Sequence, residues 1–214
     1  MNNTTDIVMI FLVLTNLMLL GSSRLSACIR TVAAQGIVLG LLPLQLNGWS
    51  LELHLVIFSA AIIALKGIVF PWMLSGTLRE LKTQREIEPF IGYGISLVLG
   101  TVILMICIWL GSRLPLPEPA TSPLIVPVVF FTIMSGLFLI VSRKKALTQV
   151  LGYLVLENGI YTFGVALVDK QPMLVELGIL LDIFVAVFVM GIAIFHINRE
   201  FDDIDTDKLS GLRS

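Results

Sequence analysis

Charge is what this sequence lacks most. Only 14% of its 214 residues are Asp, Glu, Lys or Arg, roughly half the share of an ordinary soluble domain. With 57% hydrophobic residues, a soluble chain of this length could not cover itself with polar side chains. The net charge of −1 leaves no concentrated basic face, which argues against nucleic acid as a partner. Cysteine is nearly absent. Cys28 and Cys107 stand far apart and form no zinc or iron–sulfur spacing, so any redox chemistry lies outside this chain.

Basic residues are missing from the first lead-in as well. Leu25-Ser26-Ala27-Cys28 reads like a lipoprotein cleavage site, yet "MNNTTD" carries no Lys or Arg, and Arg24 follows the apolar run. A secretory leader needs the basic residues first. The opening helix is therefore expected to be retained.

Long apolar runs are what the chain does have. About twenty apolar residues cross a bilayer as a helix, and seven runs qualify, near 5–22, 27–46, 52–78, 90–111, 123–142, 146–168 and 173–197. Each must be helical to satisfy its backbone in lipid, and none alternates like a membrane barrel strand. The expected fold is an all-α polytopic membrane protein with seven transmembrane helices. Eleven of the 14 basic residues fall in the loops of one side, among them Arg24, Arg79, Arg143 and Arg199. By the positive-inside rule the N-terminus is outside and the C-terminus cytoplasmic.

The composition breaks at "SRLPLPEPATSP" (112–123), where four prolines demand an extended loop. It divides a four-helix block (1–121) from a three-helix block (122–214) with a short acidic tail. No internal repeat of the transporter type is visible. Gly36 and Gly40 form a small-xxx-small pair, read as ordinary helix packing.

Ionisable groups at membrane depth are functional candidates by default. Glu157, in "GYLVLENGIY", lies about twelve residues from Lys145, roughly 18 Å into the membrane, with Asn158 beside it. Lys66, in "ALKGIVFPW", lies at a similar depth from Arg79, and its stem is too short to reach an interface. Pro71 is expected to bend that helix. Asp182, in "GILLDIFVAVF", sits nearer the outer side, and Glu176 close to the headgroups. His54 and Glu52 are expected to be solvated at the outer end of their helix. A static Lys–Glu tie that fixes packing is one reading. The sharper one is a proton path: Glu157, Lys66 and Asp182 at graded depths, each able to exchange a proton when its partner moves, with Glu176, Asn158 and His54 as accessories.

Motifs in order along the chain resemble hydrogenase-4 component E, a membrane subunit of formate hydrogenlyase-type complexes. They are "SSRLSAC", "LKGIVFP", "QVLGYLVLENGIY" and "LVELGILLDIFVAVFVMGI". Residues 124–214 are also similar to the K subunit of complex I and the C subunit of multisubunit cation/proton antiporters. There a basic loop (here Arg143-Lys144-Lys145) leads to a helix with a carboxylate (here Glu157), then to a helix with a second, for which Asp182 is the match.

The resemblance implies a non-catalytic subunit of an oxidoreductase complex in the prokaryotic cytoplasmic (inner) membrane. Its partners would be antiporter-like subunits, a membrane anchor, and a cytoplasmic hydrogenase arm carrying the nickel–iron centre and iron–sulfur clusters. This chain would hold no cofactor. The alternatives are a K- or C-type subunit of an antiporter or another complex I-related assembly, and a passive membrane scaffold.

Overall fold

The computed structural model describes residues 3–49, 52–80, 89–114 and 122–167. The described chain is helical. α1 (Asn3–Gly21) starts on polar residues with Asp6 in its first turn, where a negative charge suits the helix dipole. It ends at Gly21, and after three connecting residues α2 (Leu25–Leu46) begins. α2 stops at Asn47, and Gly48 follows with a left-handed φ of 64°, the conformation that glycine adopts without penalty after a helix.

α3 (Leu53–Ile62) runs through a π-helical segment (Ile63–Val69) directly into α4 (Phe70–Glu80). Pro71 has no N–H to give to the carbonyl four residues earlier. The helix passes the proline on the wider π turns that precede it. After these come α5 (Tyr93–Gly111), α6 (Ile125–Ser142) and α7 (Ala146–Leu167).

Five of these helices are long and apolar enough to cross a membrane: Thr4–Gly21, Leu25–Leu46, Leu53–Arg79, Tyr93–Gly111 and Ile125–Ser142. This is a multi-pass membrane protein. α7, with 22 residues, measures roughly 33 Å at 1.5 Å per residue and carries Glu157 and Asn158 in its middle. The seventh expected span, 173–197, lies outside the described residues.

Three-residue connections make α1 and α2, and α6 and α7, antiparallel neighbours. The α6–α7 contact is made by glycines. A Cβ on Gly152 would stand 2.9 Å from the Gly136 carbonyl oxygen, and one on Gly159 would meet Ile133 at 2.7 Å. Small residues are how helices without a hydrophobic drive between them come close.

The interior has two apolar clusters. The one at the end where α1 stops and α7 starts holds Leu20, Ile29, Val32, Leu74, Leu151 and Val155. The other holds Met9, Leu12, Leu39, Leu42, Ile125 and Val129. Between these two sets lie buried polar residues: Asn16 on α1, Gln35 on α2, Thr132 and Ser135 on α6, and Glu157 and Asn158 on α7.

At the first end Arg143, expected as a loop charge, points inward instead. It is 1% exposed, the largest fully buried side chain among the described residues. Its guanidinium donates to the Leu20 carbonyl at 2.7 Å and the Ile91 carbonyl at 3.3 Å, and lies 4.4 Å from the Tyr93 ring centroid. The carbonyls at the end of α1 have no partner within their own helix; a planar, five-donor cation satisfies one of them while holding the start of α5.

Candidate functional site

The buried positions of α3, the π segment and α4 are Ser59, Ile62, Lys66, Phe70, Leu74 and Thr77. Their steps of three and four trace one stripe of a helix, and Lys66 stands in its middle. The ammonium is therefore carried into the bundle and not out to lipid. Close approach of α2 makes this possible. A Cβ on Gly36 would stand 2.6 Å from the Lys66 Cβ, and one on Gly40 would stand 2.5 Å from Ile63 Cγ1. The Gly36–Gly40 pair is thus packed within this chain, as its ordinary reading requires.

Lys66 Nζ lies 2.6 Å from Glu157 Oε1 on α7, and the two residues are 5% and 3% exposed. Its ammonium also donates to Asn158 Oδ1 at 3.3 Å and sits 5.1 Å from the Tyr161 ring centroid, within cation–π range. Asn158 Nδ2 passes the connection to α2, donating to Gln35 Oε1 at 3.3 Å. Gln35 Nε2 reaches α1, donating to Asn16 Oδ1 at 2.9 Å and Thr15 Oγ1 at 2.8 Å. Asn16 Nδ2 closes on α6, donating to Thr132 Oγ1 at 2.8 Å.

These residues form one polar layer between the two apolar clusters, crossing from the π segment through α7, α2 and α1 to α6. An isolated ion at such depth costs several kcal/mol, so charges there occur as hydrogen-bonded pairs. At 2.6 Å a proton can pass between Nζ and Oε1 with little heavy-atom movement. That exchange turns an ion pair into a neutral pair without leaving net charge in the membrane.

The structure brings Lys66, Glu157 and Asn158 together, at one level. The common level of Lys66 and Glu157 agrees with their similar expected depth; Asp182 and Glu176, which were to give the path its other depths, lie outside the described residues. His54 is not at the site. Its side chain is 74% exposed and pairs with Glu52 at 3.5 Å, a solvated helix end as expected. Among the described residues no three His, Cys, Asp or Glu side chains converge as a metal site.

Sequence reasoning passed over Gln35, Asn16, Thr15, Thr132 and Tyr161. It started from ionisable groups and took in Asn158 as the neighbour of Glu157, although an amide in "VAAQGIVLG" or "VLTNLML" is itself a buried polar group that needs a partner.

The uncharacterized protein Rv0085 of Mycobacterium tuberculosis is 32% identical over 203 residues, 94% of this chain and 92% of that protein. Hydrogenase-4 component E of Escherichia coli K12 and that of Shigella flexneri are each 27% identical over 160 residues, 75% of this chain and 74% of theirs. The chain thus shares a family with Rv0085 and is similar to hydrogenase-4 component E. Residues 124–214 match the family model of NADH-ubiquinone/plastoquinone oxidoreductase chain 4L, the segment likened above to the complex I K subunit. α6 and α7, and with them Glu157, Asn158 and Thr132, fall in that segment; Lys66, Gln35 and Asn16 precede it. No solved structure matches the chain.

Proposed function

We propose that this chain is a non-catalytic membrane-arm subunit of a membrane-bound hydrogenase of the hydrogenase-4 or formate hydrogenlyase type. In it, the Lys66–Glu157 pair moves a proton within the membrane as electrons flow in the partner subunits. One observation carries the proton reading: a carboxylate and an ammonium 2.6 Å apart, donated by different helices at mid-membrane and buried from lipid.

The layer is the middle of the path. Asp182 and Glu176 would continue it on a seventh helix, with the N-terminus outside and the C-terminus in the cytoplasm. The partners would be antiporter-like subunits, a membrane anchor and a cytoplasmic arm holding the nickel–iron centre and iron–sulfur clusters, in a prokaryotic inner membrane. A lateral polar layer suits such a neighbourhood, because groups at one depth can pass charge sideways to the next subunit.

Complex membership is tested by capturing the N-terminally tagged chain from mildly solubilised native membranes. Antiporter-like subunits together with a nickel–iron large subunit are the expected companions. Antiporter subunits without a redox arm would replace this reading with an antiporter subunit, and recovery of the chain alone would remove the complex altogether.

A further inference from the structure

Direction distinguishes the hydrogen bonds of the polar layer. Lys66 can only donate, so an oxygen of Asn158 must face it. The Asn158 amide group then points its NH2 at Gln35, and Gln35 points its own at Asn16 and Thr15. At the far end the same direction is imposed independently. The Thr132 hydroxyl donates to the Val128 carbonyl at 2.7 Å and the Thr15 hydroxyl to the Phe11 carbonyl at 2.7 Å, so both oxygens are left to accept from the amides. Every amide in the chain is held one way round from both ends.

We infer that Gln35, Asn16, Thr15 and Thr132 are positioning residues whose one-way hydrogen-bond chain holds the Asn158 oxygen toward Lys66 as a second resting place for its ammonium. This rests on the proton reading of the Lys66–Glu157 pair and specifies how the pair opens. When Glu157 takes up a proton arriving along the path, Lys66 stays an ammonium and needs another acceptor nearby, and Asn158 supplies one from the next residue of the same helix. The amides themselves do not pass the proton on. A chain polarised in one direction could repeat such a transfer only after every amide had turned over. Asn16 and Gln35, both 0% exposed, sit in packing that opposes that. Cooperative polarisation along the chain strengthens the hold at its Lys66 end.

The test is side-chain hydrogen exchange of Asn158, read by solid-state NMR on the full chain in lipid bilayers. The Thr15→Val/Thr132→Val variant keeps side-chain shape and removes both hydroxyl anchors without touching Lys66 or Glu157. Its Asn158 NH2 protons are expected to exchange about tenfold faster, the factor one net hydrogen bond carries. The correlation between the Lys66 ammonium and the Asn158 side-chain carbonyl carbon weakens with it. Thr15→Ser/Thr132→Ser restores both, and backbone protection at Leu151 and Val155 stays unchanged throughout. Wild-type exchange in the valine pair, or failure of the serine pair to rescue it, overturns the inference. Should the valine pair loosen the α7 backbone, the single Thr132→Val variant decides: an intermediate rate supports the chain and a wild-type rate refutes it. The measurement is made on the resting protein, so it stands apart from whether Glu157 moves protons in a complex.

Discussion

Removing either member of the Lys66–Glu157 pair alone is expected to be worse than removing both. Glu157→Gln keeps the volume and one acceptor but leaves the Lys66 ammonium, 5% exposed, without its counter-charge. Lys66→Met leaves the carboxylate in the same position. Breaking one side of a buried ion pair costs about 3–5 kcal/mol, whereas replacing the pair by uncharged groups is close to neutral. At roughly 2–4 °C per kcal/mol for a chain of this size, each single variant lowers the unfolding midpoint by roughly 6–20 °C, and Lys66→Met/Glu157→Gln recovers most of it. The assay is thermal loss of helical circular dichroism on the purified chain in one mild detergent, with the coupling taken from the double-mutant cycle. A double variant that loses the sum of the two single losses would refute the reasoning, because the charges would then not be interacting.

Three further outcomes follow from the packing. Gly36→Leu drives a side chain into the Lys66 Cβ and backbone, so it destabilises by about 1–3 kcal/mol; unfolding of the variant in the same detergent checks this. Arg143→Lys keeps the charge but cannot hold the Leu20 and Ile91 carbonyls together, at a cost of about 2 kcal/mol, and proteolysis near residue 91 should accelerate in proportion. His54→Cys, at an exposed helix end, leaves stability within about 0.5 kcal/mol. In cells it reacts with a membrane-impermeant maleimide from the outside, while Cys28 and Cys107, both buried, stay silent; labelling only after permeabilisation would reverse the topology.

The helices were legible because lipid leaves a backbone few options. The expected spans 27–46, 90–111 and 123–142 end where α2, α5 and α6 end, since apolar length is the quantity the bilayer selects. Lys66 and Glu157 were legible because a charge at that depth has to be explained. Their similar depth made a Lys–Glu tie one of the readings; how the helices make it was not legible, since it depends on the approach of α2 at Gly36 and on the π segment ahead of Pro71. The amides stayed hidden for a related reason. A Gln or Asn in an apolar run is cheap enough to pass for ordinary, and only the fold reveals that α1, α2 and α7 bring theirs to one level. Arg143 stands in its expected loop between α6 and α7, but its burial was not legible, because loop position and burial are independent when a helix end lies underneath.

The central claim is that the Lys66–Glu157 pair moves protons, and the most direct measurement is proton translocation by membrane vesicles holding the complex with Lys66→Met/Glu157→Gln in this chain. This double variant keeps the subunit stable, so assembly should survive and be confirmed by capture of the same partners. The account predicts an assembled complex whose electron transfer proceeds without proton movement or stops with it. An assembled complex that translocates protons at the wild-type rate and stoichiometry would contradict it. Failure to assemble would reduce the pair to a packing element, against the account as well.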